Sequence, residues 1–286
     1  MAQEEVVARA YAPAHITGFF KIYSGGSTGA GMNLADGAET LVRIGAVSAD
    51  PGQRITINGD PAEAPVSRVV LDRFNNLLSE RFVQVEHVTA FPVGFGLGMS
   101  GAGVFTLSLA INKALGAPLT FKECQKIAAE AEIECGTGLG TVMSQEFVGI
   151  IFGLPPFPST KVQNIVSELN EVVCAFFEPI NTAAIIRDPS WKEKINEAGT
   201  HCMKELEAAP SVDRLIALSR LFTEVTGLAG AGVKEAMRRV PEASMAMLGQ
   251  TVFALTRDVE RVRREFSLLT PRVQVSTIAT RGAGTL

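Results

Sequence analysis

The residues best suited to chemistry lie in one string, Pro92-Val93-Gly94-Phe95-Gly96-Leu97-Gly98-Met99-Ser100-Gly101-Ala102-Gly103, which holds five glycines. It follows a β-prone run that ends near Phe91 and opens a helical run from about Ala102 to Leu115. Glycines let successive backbone N–H groups turn toward one centre, and a following helix adds unpaired N–H groups and a positive dipole end. Together these make an anion site suited to phosphates. Ser100 adds a hydroxyl able to meet a phosphate or ligate Mg²⁺ through oxygen. Two familiar phosphate loops do not fit. A Walker A loop ends in Gly-Lys-Ser/Thr, and no lysine occurs between Lys21 and Lys113. Gly96-x-Gly98-x-x-Gly101 matches the dinucleotide pattern, but the acidic residue about 20 positions on should end a second strand. Here that region reads as helix, and the nearest acid is Glu123. The plain structural alternative is a glycine-rich helix packed closely on a sheet.

Pro92 and Gly96 to Ala102, as Pro-x-x-x-Gly-Leu-Gly-x-Ser-Gly-Ala, resemble the ATP-phosphate loop of the GHMP small-molecule kinases. Ala12-Pro13-Ala14-His15-Ile16-Thr17-Gly18-Phe19-Phe20 and Gly29-Ala30-Gly31-Met32-Asn33-Leu34 are similar to strings of the archaeal pantoate kinases within that family. Thr137-Gly138-Leu139-Gly140 and Met247 to Ala254 fit the same family, so the resemblance spans almost the whole chain. It implies an α+β fold of two lobes, S5-like at the N-terminus and ferredoxin-like at the C-terminus, with the site between them. It implies ATP and Mg²⁺ as cofactors and conversion of pantoate to 4-phosphopantoate on the route to coenzyme A. By resemblance, Pro92, Gly94, Gly96, Leu97, Gly98, Met99, Ser100, Gly101 and Ala102 bind the ATP phosphates. Ser100 and Glu132 place the metal, with Glu130 as the alternative glutamate on that helix. His15, Thr17, Ser27 and Thr28 line the acceptor side, and the attacking hydroxyl lies near Thr141.

The chain departs from the family at two points. Active relatives normally carry an aspartate after Thr-Gly-Leu-Gly, placed to orient or deprotonate the hydroxyl; here the position is Thr141, and no aspartate occurs between Arg73 and Arg187. Threonine is no general base near neutral pH. General-base catalysis is worth about 10²- to 10⁴-fold, while phosphoryl transfer rests mainly on positioning and charge neutralisation; some relatives manage without the aspartate. The second departure concerns the acceptor carboxylate, which wants a basic partner. The strand expected over Phe147 to Phe152 has none, where relatives tend to carry an arginine. His15, Lys21 and Arg43, with the Ser27 and Thr28 hydroxyls, are the candidates. The alternatives are a kinase for another small alcohol and a silent nucleotide-binding homologue.

The elements that must position these residues follow from periodicity and breakers. Val6 to Tyr11, Thr40 to Val47, Arg54 to Asn58, Val172 to Phe177 and Val273 to Ile278 read as strands. Tyr23 to Gly31 reads as a Gly/Ser-rich loop and Asp50-Pro51-Gly52 as a turn. Val66 to Leu78, Lys192 to Arg239 and Asp258 to Phe266 read as helical, and Thr120 with Glu123 forms a capping box for a helix to about Glu134. Glycines therefore cluster in three segments, within Gly25 to Gly31, Gly94 to Gly103 and Gly136 to Gly140, expected as three loops on one cleft. Strands and helices mix without regular βαβα alternation, which favours α+β. Leu154-Pro155-Pro156-Phe157-Pro158 marks the domain boundary, giving segments 1–157 and 158–286.

Composition excludes other classes. The chain has 286 residues, 47% hydrophobic and 20% charged, so it is neither disordered nor short of core material. Its 27 glycines lack a three-residue period, and a net charge of −4 gives no nucleic-acid footprint. Val88 to Asn112 has no charged residue and is long enough to span a bilayer, but Pro92 and the glycines interrupt it. The acidic start, Met1 to Glu5, is no signal peptide, and four widely spaced cysteines suit reduced thiols in a cytoplasm. The expected partner is a small-molecule substrate, with neither nucleic acid nor membrane; a homodimer is compatible with the sequence. Cys135 reads as a small buried filler, His87 and His201 as structural, and Arg257, Arg261, Arg263 and Arg264 as a solvated face.

Overall fold

The computed structural model describes residues 5–47, 53–78, 81–153 and 162–286. In chain order its elements are β1 (Val6–Tyr23), β2 (Gly26–Val47), β3 (Gln53–Ile57), β4 (Asp60–Pro61), α1 (Pro65–Leu78), β5 (Arg81–Thr89), α2 (Met99–Ala114), α3 (Phe121–Cys135), α4 (Thr141–Ser144), β6 (Ile150–Phe152) and β7 (Gln163–Ile165). There follow β8 (Glu171–Glu178), α5 (Thr182–Ile186), α6 (Pro189–Ala208), α7 (Val212–Thr226), α8 (Ala231–Arg239), β9 (Ala243–Ala246), β10 (Gln250–Leu255), α9 (Val259–Ser267), β11 (Val273–Thr277) and β12 (Gly284–Thr285).

The first sheet runs β12-β1-β2-β5-β3-β4, with β6 and β7 added beside the early part of β2. Its spine is the long β1–β2 hairpin, closed by Ser24-Gly25. The segment expected as a Gly/Ser loop is therefore mostly strand. Gly29 and Gly31 sit where a side chain would strike the carbonyl oxygens of Phe19 and Ile16. Glycine here serves close backbone approach within a sheet rather than a loop. The Asp50-Pro51-Gly52 turn lies outside the described residues.

Helices α1, α2 and α3 cover this sheet through Val70, Phe74, Phe105 and Ala128, packed with Val42, Val83 and Val85. The capping box forms as expected: Thr120 accepts from the Glu123 N–H and the Glu123 carboxylate accepts from the Thr120 N–H. The charge-free run from Val88 resolves into the end of β5, the glycine loop and α2. That helix is buried nearly all round, from Met99 to Asn112. Among the described residues no helix is long and apolar enough to cross a membrane.

The second sheet is antiparallel, in the order β11-β8-β10-β9; α5 to α8 run together between β8 and β9, and α9 joins β10 to β11. The two sheets share a core: Phe20 of β1 meets Phe222 of α7 at 5.7 Å, and Phe95 of the glycine loop meets Phe176 of β8 at 5.9 Å between ring centroids. The C-terminal half also lends β7 and β12 to the first sheet. The Leu154 to Pro158 boundary lies outside the described residues. The strand expected over Phe147 to Phe152 is shorter, Ile150–Phe152. Gly149 has φ +76°, and the Phe147 carbonyl is turned to the Asn33 amide instead of a strand partner.

Candidate active site

Gly94, Gly96 and Gly98 have φ of +88°, +82° and +67°, so the loop passes three times through the left-handed region that glycine enters freely. Three of its carbonyls are tied back, the first of them Gly94 O, which accepts from the Ile180 N–H at 3.2 Å. Leu97 O accepts from the His15 N–H at 3.0 Å, and Gly98 O accepts from Gln145 Nε2 at 3.0 Å. Gly98 is the N-cap of α2 and supplies no capping side chain. The first turn of α2 therefore presents open N–H groups and the positive end of its dipole.

Ser100 stands in that first turn and donates to Glu132 Oε1 at 2.5 Å. Thr137, in the Gly136–Gly140 turn, donates to the same oxygen at 2.6 Å. Glu132 is buried on α3, and Gly138 leaves no room for a methyl against its Oε2. Burial raises the proton affinity of this carboxyl, opposed by the two hydroxyl donors. Between the two glutamates of α3 the packing decides: Glu130 is exposed beside Lys126, at 3.8 Å.

These groups open onto a cavity of about 370 Å³. Of the expected loop residues, Gly94, Gly96, Gly98, Met99, Ser100 and Gly101 line it. Pro92, Leu97 and Ala102 do not; Leu97 and Ala102 bury their side chains in the core, leaving only their backbone to the loop. His15, Thr17, Ser27, Thr28 and Thr141 line the same cavity, so the expected acceptor-side residues do meet the loop. Thr141 opens α4 with its methyl against Gly98. A second, more apolar cavity of about 300 Å³ adjoins the first. It shares Val93, Met99, Ser100 and Thr137 with it and extends to Ile57, Pro65, Val66 and Val104.

His15 is held by an orienting chain. Asn33 Nδ2 donates to the carbonyls of Ser144 (2.8 Å) and Phe147 (2.9 Å), which fixes its Oδ1 as the partner of His15 Nδ1 at 2.8 Å. Burial lowers the imidazole to about 4, only partly opposed by Asn33, so it is neutral and is no cation for an acceptor carboxylate near pH 7. That corrects the reading of His15 as an anion partner. The other cationic candidates are absent from the cavity wall. Lys21 lies over the Tyr23 ring at 5.3 Å, and Arg43 is paired with Glu5 and Glu86. No lysine or arginine lines the cavity among the described residues. Arg187 stands at its rim, packed on the lining residue Gly136 and donating to the Glu134 carbonyl at 3.2 Å.

Sequence reasoning missed Thr137, Asn33, Gln145 and the Asn181–Thr182 wall. Thr137 and Asn33 stand inside strings that were singled out, whereas Gln145 and Asn181 carry no signal of their own. Cys135 is half-buried, packed against the core of the first lobe as expected, and also lines the cavity, with burial holding its thiol in the protonated form. His87 is structural, bound to Thr40 and Ser67 hydroxyls at 2.7 and 3.1 Å, while Arg257 and Arg261 pair with Glu168 and Glu242 at the surface.

Residues 66–145, from α1 through the phosphate loop to Gln145, match the GHMP kinases N terminal domain. The chain is 31% identical over 257 residues to the pantoate kinase of Methanocaldococcus jannaschii, covering 86% of this chain and 92% of that one. It is 30% identical to the pantoate kinase of Thermococcus kodakarensis over 89% of each chain. Among solved structures, a phosphotransferase related to the CoA biosynthesis pathway superposes with a TM-score of 0.86 at 28% identity, over 98% of both chains. Sequence likeness along nearly the whole chain, carried on this two-sheet fold with its glycine loop and buried glutamate, places the protein in the GHMP kinase family, among the pantoate kinases.

Proposed function

We propose that the chain is an ATP- and Mg²⁺-dependent kinase that phosphorylates the hydroxyl of pantoate to give 4-phosphopantoate. The observation that carries this is the join between Ser100 and Glu132, at the open N-terminus of α2 and on the wall of a cavity that also holds the acceptor-side residues. The triphosphate lies along Gly94 to Gly101, and the adjoining apolar cavity takes the base. The division into two lobes, 1–157 and 158–286, with the cleft between them, follows the two sheets except that β7 and β12 cross over to the first.

The donor set suits Mg²⁺. Both groups are oxygens, Glu132 is desolvated without a basic partner, and its Oε2 has no hydrogen-bond partner among the described residues. No cluster of three or more His, Cys, Asp or Glu occurs among the described residues, so Ser100 and Glu132 would hold a metal shared with phosphate oxygens. When bound, Mg²⁺ neutralises phosphate charge and orients the γ-phosphoryl group. The chain's own residues do the rest. The loop amides and the α2 dipole stabilise charge on the equatorial oxygens. Ser27, Thr28 and Thr17 offer hydroxyls to a polar acceptor. Because no Lys or Arg lines the cavity among the described residues, neutral donors hold the acceptor carboxylate, with Arg187 at the rim.

The test is ADP production by the purified protein with ATP, Mg²⁺ and a panel of hydroxy acids. Turnover is expected with pantoate. ADP formed only with a different alcohol would reassign the substrate, and ATP binding without ADP release from any acceptor would make the chain a silent homologue.

A further inference from the structure

Thr141 is no base, so any side chain that accepts the proton of the attacking hydroxyl stands elsewhere on the cavity wall. Of the cavity-lining residues among those described, His15, Glu132 and Cys135 have side chains that titrate in the ordinary range. Glu132 is committed to Ser100 and Thr137, and Cys135 is held as a thiol. His15 remains. Its tautomer is set by geometry: the Asn33 amide spends both donor bonds on carbonyls and so presents its oxygen to Nδ1, which must carry the proton. Nε2 is then a bare lone pair. It has no hydrogen-bond partner among the described residues, and the ring faces the cavity beside Gly31. A methyl built on Gly98 would stand 3.5 Å from His15 Cβ and against the Thr141 methyl, so His15 and Thr141 flank the same point of the phosphate loop.

We propose that His15 Nε2 accepts the hydrogen bond of the attacking hydroxyl, orients it toward the γ-phosphorus and takes its proton. The proposal rests on the kinase reading above. As the alcohol oxygen bonds to the γ-phosphorus, the bond from that phosphorus to the β,γ-bridging oxygen breaks and its electron pair leaves with ADP. The hydroxyl proton passes to Nε2, and the imidazolium returns it to solvent as product leaves. A weak base suffices, because in a loose transition state the proton moves late, when the half-formed ester oxygen has become strongly acidic. Asn33 is the positioning residue: it holds the tautomer without touching the substrate.

The test variant is His15→Asn, whose side-chain amide keeps a donor for Asn33 Oδ1 but deletes Nε2. We expect kcat to fall about 10²- to 10⁴-fold, with the Kd for a non-hydrolysable ATP analogue unchanged. Adding Thr141→Asp, which puts a carboxylate at the other side of Gly98, should return at least about tenfold of the loss, within the span of a general base. Full kcat in His15→Asn, a loss that Thr141→Asp does not relieve, or a parallel loss of nucleotide binding would each overturn the proposal. An independent reading is the ¹⁵N spectrum of histidine-labelled protein. The Nδ1–H tautomer is expected, with an Nε2 resonance that moves when the acceptor is added; an Nε2–H tautomer would overturn it. If the wild type acts on a hydroxy acid other than pantoate, only the substrate assignment falls, and the variants are read on that acid. If it acts on none, the kinase reading fails and the proposal falls with it.

Discussion

At the scale of single residues, the carboxylate of Glu132 is under tension between folding and function. It is buried against Ser100, Thr137 and Gly138 with no cation beside it among the described residues, so its charge costs the folded chain. Glu132→Gln keeps the shape and removes the charge. We expect it to abolish at least about 10³-fold of turnover, equivalent to several kcal/mol of metal-dependent stabilisation. The same variant should melt a few degrees higher than wild type when both are free of nucleotide and metal, since about 1 kcal/mol moves a chain of this size by roughly 2–4 °C. A lower melting point for Glu132→Gln would mean that the carboxylate holds the fold together. Ser100→Ala removes one of the two hydroxyls that orient Glu132. Its expected effect is a loss of about 10- to 100-fold in Mg²⁺ affinity, read by titrating activity against free Mg²⁺, with little change in melting. The functional residue types were legible from the string around Ser100, but the choice of Glu132 over Glu130 was not a matter of type. It turned on which side of α3 faces α2.

At the scale of elements, the phosphate loop is held from outside its own sequence. The β9–β10 hairpin, Met247-Leu248-Gly249, lies on it. A side chain at Gly249 would enter the backbone at Phe95 and Gly96, and one at Gly96 would meet Gly249 N and Met247 O. Gly249→Ala must therefore move one backbone off the other. Overpacking of this kind costs about 1–3 kcal/mol. We expect the KM for ATP to rise at least tenfold with a smaller change in the KM for the acceptor. Equal effects on both would show that the hairpin supports the whole cleft and not the loop. Strand glycines tell the same story. Gly29 and Gly31 read as loop by composition, yet they belong to β2 because β1 approaches too closely for any side chain. Composition cannot separate these cases, since glycine permits both a turn and a close approach.

At the scale of the whole molecule, two buried neutral imidazoles tie the fold to pH. His15 joins β1 to β2 beside the cleft, and His87 joins β5 to α1 through Ser67 and to β2 through Thr40. Burial lowers each from 6.5 to about 4. The unfolded chain therefore binds protons below pH 6.5 that the folded chain refuses, and stability is lost as pH falls from 6.5 toward 4. The slope is about 1.4 kcal/mol per pH unit for each histidine, or roughly 3 kcal/mol each across the window as an upper bound. Urea midpoints at pH 7 and pH 4.5 measure the loss. His87→Gln should reduce the pH dependence in that window, and an unchanged dependence would show that these histidines do not govern acid unfolding.

By itself the sequence determined the α+β class, most helices and strands, the glycine loop ahead of α2 and the absence of an aspartate from the place after Thr-Gly-Leu-Gly. These are local properties: periodicity, caps and residue type act over a few positions. Only the tertiary structure decided that Glu130 faces solvent while Glu132 meets Ser100, that Leu97 and Ala102 serve the core, and that no lysine or arginine lines the cavity among the described residues. It also decided that His15 is neutral, with its tautomer set by Asn33, eighteen residues away in sequence. Burial and hydrogen-bond partners determine a group's charge and direction, and both are properties of what packs against it rather than of its neighbours in the chain.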